Sequence, residues 1–492
     1  MVLCAEPTHP LWAPEQMETK IKIYSEYDLL GNRTRLNYPS GGYITYTLDE
    51  LNRVKQIKDR NAQIIAEYSY AGPTRVKSRA YGNGVHLDIQ YDGLKRAKEF
   101  VHTLRTAPEQ LVAGFKYGFD KEGNRLYEKR THPNKDAQSD VYAYDSIYRL
   151  TGVEYRVPDP ASHVTKADIS GVSREGFVLD GVGNRVSVTK DAQTVSYTTN
   201  NLNQYTAVDG KGLEYDRNGN LKKQRRTTKT TKGLEITEEL EYFYDYANRL
   251  VRVAKREISQ TAGNTRISED IARYSYDALG RRTGKTVYER NSIREITYFY
   301  YDGARCIKEE DGRKNTIAAY VFGNGIDEVL TIDKGIYRYY YHENSLGSIT
   351  ALTNEQGEVI ERYEYEAYGK PKIMGPASEG ERPCSIIGNR IMFTGREYDY
   401  EAGLYYYRAR YYSDELGKFL QRDLEEVFIA INMLNFYAYA ALNPTNRIDP
   451  WGWIPNKGQA VLDQAMRQAK IGDLEGSKQR RLRWETVLLR QE

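Results

Sequence analysis

The sequence predicts an all-β fold in which stacked hairpins build one spiralling, solenoid-like sheet, and three observations lead there. Tyrosine dominates the aromatic residues, with 44 Tyr against 11 Phe and 4 Trp, and tyrosine favours a half-buried pleated surface. Forty glycines punctuate the chain, too many for the uninterrupted helices of a bundle. A short phrase also returns at nearly constant spacing, which marks a repeat architecture. The 492 residues exceed an ordinary domain of about 100–200 residues severalfold, so the chain is one long repetitive structure or several packed domains. Its wealth of aromatics excludes a disordered polymer.

The phrase is Tyr-Asp, two or so residues, Gly or Asn, then Arg and an aliphatic. It appears as Tyr27-Asp28-Leu29-Leu30-Gly31-Asn32-Arg33 and Leu48-Asp49-Glu50-Leu51-Asn52-Arg53-Val54, in a weaker copy at Tyr70, and as Tyr91-Asp92-Gly93-Leu94-Lys95-Arg96. These starts lie 21, 22 and 21 residues apart, and looser copies begin at Phe119, Tyr144, Leu179, Tyr215, Tyr244, Tyr276 and Tyr301. Asp or Asn with Gly is a turn, because the Asx side chain bonds nearby backbone and Gly supplies positive φ. The alternation around each turn, as in Tyr43-Ile44-Thr45-Tyr46-Thr47, has the period of two that marks strands. Each repeat is then about one hairpin, marginal alone and stable when stacked, with tyrosine rings buried and their hydroxyls left for water or a partner strand. The pattern runs over 27–340, with polar insertions near 103–140, 155–176 and 221–240. The basic, Thr-rich run from Lys222 to Lys232 reads as a solvated hairpin tip, since charge elsewhere is balanced and gives it no supporting field.

The 71 basic and 68 acidic side chains nearly cancel, which speaks against a specific nucleic-acid groove. No apolar run is long enough for a membrane span. Cys4, Cys306 and Cys384 are far apart and odd in number, so neither a disulfide framework nor a metal site is encoded. The six histidines (His9, His86, His102, His132, His163 and His342) follow no ligand spacing, and no cofactor site is expected. Met1 to Trp12 lacks the basic and apolar regions of a signal peptide, so export, if it occurs, needs another device.

From residue 341 the text changes. Tyr341-His342-Glu343-Asn344-Ser345-Leu346-Gly347-Ser348 leads to Phe393-Thr394-Gly395-Arg396-Glu397-Tyr398-Asp399, Gly403-Leu404-Tyr405-Tyr406-Tyr407-Arg408-Ala409-Arg410-Tyr411-Tyr412 and Gly417-Lys418-Phe419-Leu420-Gln421-Arg422-Asp423. The block closes on Asn443-Pro444 and Asp449-Pro450-Trp451-Gly452. With these motifs the chain resembles the Rhs, or YD-repeat, family over about residues 20–453, and 341–453 resembles its Rhs-associated core domain. The resemblance divides the chain into an N-terminal segment (1–20), YD repeats (21–340), the core (341–453) and a C-terminal tail (454–492). It implies that the spiral forms part or all of a hollow shell around a C-terminal toxin, as in type VI Rhs effectors and the C subunit of insecticidal toxin complexes. It further implies that the core is an aspartyl autoprotease cutting just after a second Asp-Pro-x-Gly-Leu.

Carried onto this sequence, the second motif is Asp449-Pro450-Trp451-Gly452, with Trp453 where Leu is usual, so the cut falls between Trp453 and Ile454. The first motif keeps Arg422-Asp423, but Leu424-Glu425-Glu426 replaces Pro-x-Gly. Peptide hydrolysis by carboxylates needs one ionised group to take a proton from water and one protonated group to donate. Two carboxylates pressed together hold one proton between them and act as a unit, so either of Asp423 and Asp449 can be the base, with Arg422 orienting one of them. The plain alternative is that Asp-Pro-x-Gly is an ordinary turn. The Tyr405–Tyr407 and Tyr411–Tyr412 stripes read as β core rather than as a sugar-stacking surface.

The 39 residues of the tail have helical composition over Gln459–Lys470 and Lys478–Arg490, and too few residues to build an enzyme core; they read as an effector stub or remnant. The resemblance therefore favours a toxin-delivery shell with its own C-terminal segment as cargo and a companion shell or secretion-system protein as partner. Such a chain is secreted without a cleavable signal peptide, or cytoplasmic until export. The alternatives are a non-catalytic YD-repeat scaffold or cell-surface binding protein, and a basic tail that is itself the active part.

Overall fold

The computed structural model describes residues 22–39, 41–106, 108–133, 138–163, 173–229, 235–258, 268–376, 380–423, 435–452 and 456–457. Among them, 31 strands from Tyr24–Tyr27 to Glu381–Arg382 form one antiparallel sheet, each strand pairing with the next in sequence. The all-β expectation holds; Pro160–His163 makes a single helical turn. The sheet passes residue 341 without interruption and ends at 382, and a separate four-stranded sheet begins at Glu397–Asp399. The segment 1–20, Leu424-Glu425-Glu426, Trp453, Ile454 and the helices expected in the tail lie outside the described residues. Of the tail, Asn456–Lys457 is described, as a short strand.

The repeat phrase is explained bond by bond. In the turn at Asp92, Oδ1 accepts the amides of Leu94 and Arg96, each at 2.9 Å, and Oδ2 accepts Nε of Arg96 at 2.7 Å. The third residue after the Asp sits at positive φ, +68° at Lys95 and +87° at Gly219, which is why Gly or Asn is usual there. The arginine then reaches forward. Nη1 of Arg53 donates to Gly72 O at 2.8 Å, Arg96 to Asp120 O at 2.9 Å and Arg149 to Asp180 O at 2.8 Å. The tyrosine reaches back: Tyr70 donates to Val54 O at 2.6 Å, Tyr91 to Val76 O at 2.7 Å and Tyr276 to Leu250 O at 2.6 Å. Where the phrase carries both residues, a phenol thus bonds a turn to its predecessor and a guanidinium bonds it to its successor; at Asp120, Asp180 and Asp216 an Asn stands in place of the Arg and closes the turn on itself.

The sheet winds back on itself, and partners more than 200 residues apart meet along a seam. Tyr38 donates to Tyr320 O, Tyr81 to Tyr341 O and Asn83 to Thr353 Oγ1, each at 2.8 Å. The seam core joins Leu36, Ile57, Leu87 and Phe115 to Ile307, Leu330 and Tyr340. Buried charge crosses it too, since Arg79 pairs with Glu328 and Glu343. His102 and His342, unrelated by spacing, meet edge to face with ring centres 5.0 Å apart. Burial pulls His102 down to about 3, so it is neutral and donates Nε2–H to Glu343 O at 2.8 Å. The basic run from Lys222 lies on an exposed hairpin strand, with Arg225 2.8 Å from Glu239 and Arg226 3.5 Å from Glu238 on the neighbouring strand; the tip at 230–234 lies outside the described residues.

Candidate functional site

The small sheet Glu397–Asp399, Leu404–Tyr407, Arg410–Ser413 and Lys418–Phe419 is buried on both faces, and the period of two divides its tyrosines. Tyr405, Tyr407 and Tyr412 pack with Phe393, Phe419 and Tyr439 against the late strands of the wall. Tyr406 and Tyr411 pack with Leu240, Leu250 and Tyr274. The Tyr-rich stripes are core, as read from the sequence.

This sheet and the segment 435–452 form a plug seated on the row of repeat turns. Asn446 Oδ1 accepts Arg125 N at 2.7 Å, Asn443 donates to Tyr148 O at 2.8 Å, Lys418 to Asn184 Oδ1 at 2.6 Å and Tyr437 to Gly219 O at 2.7 Å. A buried ion cluster completes the seat: Arg282 of the wall pairs with Asp399 and Glu397, and Lys285 lies 3.1 Å from Asp399 and 2.9 Å from Glu401.

Inside the plug, Asp423 and Asp449 come together, both buried. One nitrogen serves them both: Arg410 Nη2 is 3.0 Å from Asp423 Oδ2 and 3.5 Å from Asp449 Oδ2. Arg410 also donates Nε–H to Gly452 O and Nη1–H to Phe436 O at 3.0 Å, and its guanidinium lies over Phe419. Burial draws Arg410 below its usual value, and the two carboxylates oppose that shift. Arg422, the orienting cation expected from the sequence, is exposed and stacks on Phe436, 4.8 Å from the ring centre. The guanidinium between the acids is Arg410. It lies inside the Tyr-Tyr-Arg-Ala-Arg-Tyr-Tyr stripe, where periodicity marked only strand, and one turn-by-turn cue was present: an Arg on a buried strand needs an acid opposite.

The chain between the motif and its flanks is held tightly. Arg396 donates to Pro450 O at 3.2 Å, and Arg408 donates to the same carbonyl. Burial lowers Arg396 to about 9 and Arg408 to about 10. Arg408 also stacks on Trp451, 4.9 Å from the ring centre. Gly452 has φ +72°, and a Cβ there would lie 2.3 Å from Tyr407 O, so conformation and space both require glycine. Arg447–Ile448 pairs with Asn456–Lys457, bringing together the two sides of the bond expected to be cut. The geometry offers two acids, a cation between them and two anchored carbonyls. Among the described residues no group of side chains could hold a metal ion.

The family model described as Teneurin YD-shell matches residues 151–445. The chain belongs to the YD-shell family. That agrees with the Rhs resemblance read from the repeats and the core motifs. This YD-shell chain is 31% identical over 300 residues to the tRNA nuclease WapA of Bacillus subtilis, covering 58% of itself and 11% of that protein. It is 24% identical to toxin subunit YenC1 of Yersinia entomophaga, covering 87% of itself and 46% of the relative. The crystal structure of TcdB2-TccC3-TEV superposes with a TM-score of 0.66 at 18% identity, over 87% of this chain and 21% of that one, and shares the fold. The YD-shell chain therefore spans less than half the length of these relatives. No helix among its described residues is long and apolar enough to cross a membrane.

Proposed function

We propose that this YD-shell chain forms wall and plug of a toxin-delivery shell and that the plug cuts its own chain once, between Trp453 and Ile454. The observation that carries this reading is Arg410, which gathers Asp423, Asp449 and the Gly452 carbonyl around one guanidinium. The anchored carbonyls of Pro450 and Gly452 fix the chain leading to the bond. One carboxylate takes a proton from water as its oxygen adds to the Trp453 carbonyl carbon; the other carboxyl gives its proton to the Ile454 nitrogen as the C–N bond breaks. The products are a carboxylate on Trp453 and an amine on Ile454. Burial excludes bulk water and strengthens each of these interactions. The segment from Ile454 onward is the cargo or the start of one, and a companion shell or secretion-system protein completes delivery and export.

The test is the intact mass of the full chain purified at neutral pH. Self-cleavage gives two species, the smaller with the mass of residues 454–492, and Asp449→Asn or Asp423→Asn gives one. A single intact species from the unaltered chain overturns the protease and leaves a non-catalytic wall.

A further inference from the structure

We propose that the wall loop Gly323-Asn324-Gly325-Ile326-Asp327-Glu328 couples closure of the seam to the setting of the cleavage segment, with Asp327 as a positioning residue. The proposal rests on the self-cleavage reading for its consequence, but not for its geometry.

Three consecutive side chains face three different partners. Glu328 faces the seam: its Oε1 accepts from Tyr68 Oη at 3.0 Å and pairs with Arg79, groups some 250–260 residues earlier in the chain. Asp327 faces the plug, where Oδ1 takes both Arg396 and Arg408, the latter at 2.7 Å. These are the two arginines that hold the Pro450 carbonyl. Ile326 packs with Leu346 and Ile448, the neighbour of Asp449. The loop transmits because it is internally tied: Gly325 N donates to Glu328 Oε2 at 2.7 Å and Gly323 N to Glu328 O at 2.8 Å. Asn324 donates to Tyr70 Oη at 2.8 Å and Arg305 to Gly325 O at 2.6 Å. No room exists for slack, since a Cβ at Gly323 would lie 2.3 Å from Tyr68 Oη. An open seam removes the partners of Glu328, frees the loop, and takes Asp327 and Ile326 away from the segment carrying Asp449. The chain is then cut only after the wall has closed.

The experiment is hydrogen exchange of residues 447–452 in the intact full chain carrying Asp449→Asn, comparing two seam variants of equal chemistry. Tyr68→Phe removes a bond to the loop; Tyr38→Phe removes the seam bond to Tyr320 O at 2.8 Å and leaves the loop alone. Coupling predicts exchange about tenfold faster at 447–452 in Tyr68→Phe and in the isosteric Asp327→Asn, with Tyr38→Phe unchanged. Equal exchange in the two Tyr→Phe variants, raised or not, overturns it. In the chain that retains Asp449, the first-order rate of cleavage falls about tenfold in Asp327→Asn and in Tyr68→Phe. An unaltered chain that stays uncut while exchange responds as expected removes self-cleavage and leaves the coupling; cutting with unresponsive exchange does the reverse.

Discussion

Arg282 is the cation on which the seating of the plug depends. It is fully buried, pairs with Asp399 and Glu397, and lies against the rings of Phe299 and Tyr406. Arg282→Met keeps the volume and removes the charge, leaving Asp399, itself fully buried, short of its main counter-ion. Removing one partner of a buried pair costs about 3–5 kcal/mol. Here Lys285 at 3.1 Å and Arg390 at 3.9 Å remain beside Asp399, which places the loss near the low end, about 3 kcal/mol. Urea unfolding of the full chain at neutral pH measures it. Burial raises the Asp399 carboxyl, but Arg282, Lys285 and Arg390 outweigh burial and hold it well below the ordinary value of 3.8. A depressed folded value means that its contribution is complete above the ordinary carboxylate range and is lost as pH falls below it. The difference between Arg282→Met and the unaltered chain should therefore be full at pH 7 and shrink under strong acid. Pairing Arg282→Met with Asp399→Leu should restore most of the loss, because neither charge is then stranded. A loss below about 1 kcal/mol, or a double variant as weak as the sum of the singles, would refute the view that the pair is a mutually dependent latch.

Arg410→Met should abolish the two-species mass pattern expected of the unaltered chain, since it removes the group shared by Asp423, Asp449 and Gly452 O; continued cutting would exclude Arg410 from the chemistry. Burial pushes Glu343 up to about 7, with Arg79 opposing and Glu328 adding to the shift. The folded chain then favours the neutral acid, so Glu343 lowers stability progressively as pH rises from 4.5 to about 7. Glu343→Gln should flatten that decline in the unfolding midpoint, and an unchanged slope would count against it. Tyr276→Phe removes a 2.6 Å bond to Leu250 O in the repeat ladder and should cost about 1 kcal/mol in urea unfolding.

How much of this was legible in the residues follows from distance along the chain. Turn, strand period and repeat are local, so Asp92-Gly93-Leu94-Lys95-Arg96 already contained its own hydrogen bonds. Turns with the same Asx bonding but without the Tyr-Asp phrase escaped the template: Asp59 Oδ1 accepts Asn61 N at 2.9 Å and Asn200 Oδ1 accepts Leu202 N at 2.9 Å. The seam was illegible, because which tyrosine meets which carbonyl 260–282 residues away depends on the accumulated twist and the insertions, not on any one repeat. The site divides in the same way. Asp423 and Asp449 stood out by their motif neighbours, whereas Arg410 is defined by what folds against it. Arg422 adjoins Asp423 only in sequence, and a neighbour on an extended chain points to the opposite face.

The seam has a consequence for biosynthesis. The hairpin ladder can be laid down as the chain leaves the ribosome, since each strand of the large sheet pairs with the next in sequence. Tyr38, however, bonds a residue made 282 positions later, on the order of tens of seconds at translation rates of about 5–20 residues per second. Throughout that interval Arg79, Tyr81 and His102 also lack the seam partners they have in the folded chain. The seam is therefore the last part of the wall that synthesis can complete.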